Sequence, residues 1–146
     1  MANPSDDTSK TIAYPGHGIG LRNVGSYQIS GHPYITGSLL ATGQEMFVSF
    51  PHVSREFTVI NSGSGAGPVL RVHFNSTSSA GSVITGHHYV TLESDDQSIT
   101  FRTKCKGVYV SCASNGGGDN GFEVLANLTS INIASMYDLT GSGLTD

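Results

Sequence analysis

Val69-Leu70-Arg71-Val72-His73-Phe74-Asn75 is the stretch that decides the fold. Apolar residues occupy every second position, the period of an extended strand and not the 3.6 of a helix. Leu70, Val72 and Phe74 are expected to face a core, with Arg71, His73 and Asn75 on the opposite face. Working outward, the same period recurs. Downstream, His88, Val90 and Leu92 alternate with His87, Tyr89 and Thr91, and Ile99, Phe101 and Thr103 continue the pattern. Val108 and Val110 follow, after Lys106-Gly107 as a tight turn or as a bulge in one longer strand. Phe122, Val124, Ala126 and Leu128 form the last clear strand. Upstream, Phe57 and Val59 are in phase, as are Met46, Val48 and Phe50 before Pro51. Tyr27, Ile29 and Tyr34-Ile35-Thr36 read as a strand interrupted at Gly31-His32-Pro33.

Between these runs lie turn signals. Ser62 to Pro68 is rich in Gly and Ser and fits a hairpin loop, Glu93 to Gln97 is an acidic turn, and Asn115 to Gly121 is a further loop. About seven to eight short strands with such spacing predict an all-β chain, an antiparallel β-sandwich of jelly-roll or immunoglobulin-like type. Composition agrees. Gly, Ser and Thr make up 52 of the 146 residues, and all three are poor helix formers. At 146 residues there is room for one ordinary domain. The alternation places the sandwich at residues 27–128. Residues 1–26 and 129–146 then read as extended arms, too glycine-rich for a core yet carrying apolar groups. Ile12, Tyr14, Ile19 and Leu21 in the first arm, with Met136, Tyr137, Leu139 and Leu144 in the second, are the candidate contact residues.

The charge pattern excludes several classes. Seven Lys and Arg stand against eleven Asp and Glu, a net charge of −4, so no basic face for nucleic acid is expected. Arg102, Lys104 and Lys106 read as the solvated face of a strand. No apolar run is long enough to cross a membrane as a helix, and Met1 to Asp7 has no signal-peptide character, which suggests synthesis in a cytoplasm. Cys105 and Cys112 are then expected to be free, partly buried thiols, and the sequons at Asn75 and Asn127 carry little meaning.

No catalytic set emerges. Gly63-Ser64-Gly65 is a loop and not a nucleophile elbow, and pairing Cys105 or Cys112 with His73 or His88 conflicts with their places on apolar faces. His87 and His88 would point to opposite faces of a strand and cannot share an ion. His73 with His87, or Glu93 with Asp95 and Asp96, gives too few ligands for a site. Gly16-His17-Gly18-Ile19-Gly20 lacks the strand before it and the helix after it that a phosphate loop requires. The expectation is a non-enzyme with neither metal nor cofactor.

Phe50-Pro51-His52-Val53-Ser54-Arg55-Glu56-Phe57-Thr58-Val59-Ile60-Asn61, Leu70 to Asn75, Gly86 to Leu92, Lys104-Cys105-Lys106 and Leu139 to Asp146 together resemble small virion proteins of tailed phages and other aquatic viruses. The resemblance covers roughly residues 24–146. It implies a viral structural protein, most simply a capsid decoration (cement) protein on the virion surface. Its partners would be the major capsid protein and itself, as a trimer, with the arms making the contacts. Two alternatives stand beside it: a tail or baseplate subunit, and a receptor- or carbohydrate-binding module using Tyr34, Tyr89 and Tyr109. The chain has no Trp, which counts against a sugar platform.

Overall fold

Eight strands form among the residues that the computed structural model describes, which are 20, 21, 25, 33–63, 68–77, 83–93, 96–115 and 120–139. In chain order they are β1 (Pro33–Leu40), β2 (Glu45–Ser49), β3 (His52–Asn61), β4 (Pro68–His73), β5 (Val90–Leu92), β6 (Ser98–Phe101), β7 (Gly107–Asn115) and β8 (Asn120–Asn132). Two four-stranded sheets result, ordered β1-β8-β3-β6 and β2-β7-β4-β5, and every pairing is antiparallel.

The pairings are nested: β1 with β8, β2 with β7, β3 with β6, β4 with β5. That is one long hairpin wrapped on itself, closed by β3–β8 and β4–β7 contacts within each sheet. It is a jelly roll. The immunoglobulin-like alternative does not have this order.

The nesting corrects two local readings. β3 and β4 belong to different sheets, so the 62–68 connection crosses between sheets and is not a hairpin loop. β6 and β7 are likewise in different sheets, so Lys106-Gly107 is the end of a crossing and not a turn within a pair. The apolar phase changes between Phe101 on β6 and Val108 on β7, which lie in different sheets. Arg102 to Lys106 are therefore off the strands; their backbone is held instead by Ser54 N donating to Cys105 O at 2.9 Å and Phe50 N to Lys106 O at 2.9 Å. Ser54 Oγ also donates to Thr103 O at 3.0 Å.

The core lies where the alternation placed it. Phe57, Val59, Leu70, Val72, Val108, Val110, Phe122, Val124 and Ala126 are all buried. Phe57 is the hub of the aromatic packing: Phe101 stacks on it at 5.2 Å, with Phe50 at 5.7 Å and Phe74 at 6.2 Å. Cys105 and Cys112 are free thiols in this core.

The domain boundary at residue 128 is corrected. β8 continues to Asn132, a 3-10 turn follows at Ile133–Ser135, and Ile131 and Met136 form a second cluster with Val53. Alternation hides this because Leu128 and Thr129 are both buried, at an irregularity where the β3–β8 register shifts. Thr129 Oγ1 repairs the broken ladder, donating to Val53 O at 2.7 Å and accepting from Ile131 N at 3.2 Å. Tyr27, Ile29 and all of the 1–26 segment except Gly20, Leu21 and Gly25 lie outside the described residues.

Candidate functional site

The outer face of the β2-β7-β4-β5 sheet carries the densest set of polar side chains. Register puts Glu45, Ser111, Arg71 and Thr91 in one cross-strand row and Phe47, Tyr109 and His73 in the next. Outward parity on β4 makes His73 face this way, as its position in the sequence predicts, yet it is only 1% exposed. The expectation of a solvated His73 is thus overturned: Tyr109 stacks on its ring at 5.8 Å, and the 74–77 segment lies beside it. Its Nδ1 is 2.6 Å from Asn75 O and its Nε2 is 2.9 Å from Ser111 Oγ. Glu45 ties the same segment down, accepting from Ser76 Oγ at 2.7 Å and from Thr77 N at 2.8 Å.

Electrostatics fix the protonation here. Burial pushes the His73 imidazole below its ordinary value, against the opposing pull of the Asn75 carbonyl and the Glu45 carboxylate. Burial by itself would raise Glu45, but hydrogen bonds from Thr77 and Ser76 outweigh it and lower the carboxyl below its usual range. A neutral His73 must carry its proton on Nδ1, because Asn75 O only accepts; Nε2 then accepts from the Ser111 hydroxyl. That is the tautomer of a nucleophile–base couple. Glu45 Oε2 lies 3.8 Å from the same Nε2. What the cluster does is clamp β2, β4, β7 and the 74–77 segment together. Ser111 was not singled out in the sequence, and only the β4–β7 register reveals it.

The outer face of the other sheet carries exposed apolar residues at its β1 edge, beside Glu123 and the Thr58–Thr100 pair. Ile35 and Leu39 on β1 are 70% and 64% exposed, and Leu125 of β8, directly opposite Ile35, is 40% exposed. Gly37 between them pairs with Glu123: a Cβ there would sit 2.7 Å from Phe122 O and 3.6 Å from Glu123 Cγ, so β8 approaches too closely for a side chain. β1 is also the edge of its sheet. Its eight residues, PYITGSLL, carry no charge, and its register with β8 is unbroken from Pro33↔Asn127 to Leu40↔Asn120. The other edges are shorter: three residues in β5, four in β6 and five in β2, where Glu45 stands at the start.

The contact residues read from the two arms separate into three groups. Ile12, Tyr14, Ile19 and Leu144 lie outside the described residues. Leu21, Met136 and Leu139 pack onto the domain itself: Met136 is buried against Val53 and Ile131, Leu21 lies against that cluster, and Leu139 touches both clusters. Met136 is buried there, while Leu21 and Leu139 are partly buried. Tyr137 remains 64% exposed. Of the three tyrosines considered for sugar stacking, Tyr34 packs edge-on against Phe50 at 5.7 Å and Tyr89 lies under the Arg71 guanidinium at 4.5 Å. Each of the three borders a depression of its own, and that of Tyr109 is described below.

His87 adopts a left-handed φ of 59° in a turn ahead of β5, so His87 and His88 are not strand neighbours as supposed. Among the described residues no three His, Cys, Asp or Glu side chains gather as a metal would need. No helix among them is long and apolar enough to cross a membrane.

No known protein family matches the chain, and no curated protein does. A similar solved structure comes from work on Bacillus endospore appendages, which form a novel family of disulfide-linked pili. It aligns at a TM-score of 0.35 with 13% identity, over 67% of this chain and 87% of that one.

Proposed function

We propose that the chain is a structural subunit that acts by assembly, and that its specific role is decoration of a viral capsid. The observation that carries the assembly reading is β1: a long, uncharged, unbulged edge strand whose outer face exposes Ile35 and Leu39 beside Leu125. Edges of this kind pair with other chains unless charge, proline or a bulge prevents it; Pro33 stands at the first position of β1 and leaves Tyr34 to Leu40 able to pair. The first partner is a second copy of the chain, pairing edge to edge. Each of these three apolar side chains contributes about 1.5 to 3 kcal/mol when fully buried, before association costs of at least about 4 kcal/mol. A single such contact is therefore weak, and repeated sites on a shell would supply the avidity.

The capsid setting rests on the sequence resemblance to virion proteins. Viral capsid domains also use jelly rolls, which supports that setting by analogy of fold. The test has two steps. Sedimentation velocity should show concentration-dependent association that Leu39→Lys abolishes; a monomer at every concentration would overturn the assembly reading. An antibody to the purified chain should decorate the outside of virus particles from the source culture; its absence there would overturn the capsid reading alone.

A further inference from the structure

Where β2 and β4 end and β7 begins, a cleft of about 330 Å³ opens against the segment following the 3-10 turn. Phe47, Asn75, Lys106, Tyr109, Tyr137 and Asp138 line it. Two anchors hold that segment, buried Met136 on one side and Leu139 packed on both clusters on the other. Between them Tyr137 and Asp138 are left facing out, with Tyr137 64% exposed. Opposite, Phe47 lies over Gly107, whose missing side chain makes room for the ring: a Cβ would fall 2.4 Å from Phe47 Cζ. Tyr109 meets Phe47 at 4.6 Å. At the rim Lys106 pairs with Asp138.

We infer that this cleft is a saccharide-binding site, selective for neutral mono- or disaccharides. Its size is at the lower end of small-molecule sites, about 300 to 1,000 Å³. A pyranose ring has an apolar C–H face and a periphery of hydroxyls, each both donor and acceptor. The exposed aromatic rings of Tyr137 and Phe47 match the first. The second matches the rim pair of Asp138, which accepts only, and Lys106, which donates only, with Asn75, whose amide oxygen already accepts from Ser76 N and can take one further hydrogen bond. Charge selects further. The ammonium and carboxylate pair with each other, so the rim offers no net charge to hold an ionic ligand, whereas sugar hydroxyls can bond to both. The cleft is built on the other sheet from β1 and does not depend on the assembly reading.

Nitrogen–proton correlation spectra of the full chain, titrated with a panel of neutral mono- and disaccharides, test this. At least one sugar should shift resonances of Phe47, Lys106 to Tyr109 and Tyr137 to Leu139, with millimolar affinity. Tyr137→Ala should weaken binding by at least about tenfold, Tyr137→Phe should restore it, and both should melt at the wild-type temperature because Tyr137 packs on no core cluster. Leu39→Lys should leave sugar binding unchanged. No shifts with any sugar, shifts confined to other regions, or full binding by Tyr137→Ala would each overturn the assignment.

Discussion

Strand β4 offers a quantitative test, because two adjacent positions sit in two different environments. Val72 is 1% exposed between the sheets. Val72→Ala removes two methyl groups, about 0.8 kcal/mol each in transfer, and the cavity left behind raises the total to about 2 to 3 kcal/mol. Arg71, one residue earlier, is half-buried on the outer face, with its guanidinium 4.5 Å from the Tyr89 ring. Arg71→Ser therefore loses a cation–π contact and side-chain packing, about 0.5 to 2 kcal/mol, more than an ordinary surface change of about 0.5 kcal/mol. Val72→Asp buries a carboxylate without a partner and costs several kcal/mol, a large part of a domain stability of about 5 to 15 kcal/mol. Urea unfolding followed by circular dichroism measures all three. The expected order of loss is Val72→Asp, then Val72→Ala, then Arg71→Ser. Equal losses for Val72→Ala and Arg71→Ser would refute the assignment of Val72 to the inter-sheet core.

The remaining expectations concern the His73 cluster, the C-terminal boundary and metal. Burial holds the His73 imidazole below its ordinary 6.5, so the unfolded chain binds the proton first, and stability present above about pH 6.5 is lost as pH falls toward the folded value. The lowered Glu45 carboxyl acts in the same direction at lower pH, its contribution present above 4.5 and lost as pH falls through the folded value. Thermal melts across this range should show the decline, and His73→Asn should flatten its upper part; an unchanged profile in the variant would place the effect elsewhere. A chain ended after Leu128 loses buried Thr129, Ile131 and Met136 and should not unfold cooperatively, whereas one ended after Leu139 should. Cooperative melting of the shorter chain would show that the second cluster is dispensable. Dialysis against a chelator should leave the melting temperature unchanged; a large drop would reveal a metal that these residues do not account for.

Much of the fold was written in the chain locally. A period of two from Glu45 to Leu128, broken by Gly, Pro and Asn clusters, requires strands with one covered face, and Leu70, Val72, Phe57, Val59, Phe122 and Val124 are buried because nothing else could hide them from water. Which strands share a sheet was decided by tertiary structure. Alternation constrains a strand's two faces but says nothing about its neighbours, so residues 62–68 read as a hairpin loop and Lys106-Gly107 as a tight turn or bulge, although both belong to crossings between sheets. The same limit hid the sites. Parity correctly sent His73 outward, but outward is not exposed: Ser111, Glu45 and Tyr109 cover it through registers that no single strand encodes. Thr129 to Met136 lost the alternating signal at a register shift and was read as an arm, although its burial against Val53 depends on a strand some 75 residues distant in sequence, 76 for the Thr129–Val53 bond. Local periodicity sets which residues leave water; only the three-dimensional pairing sets what they meet.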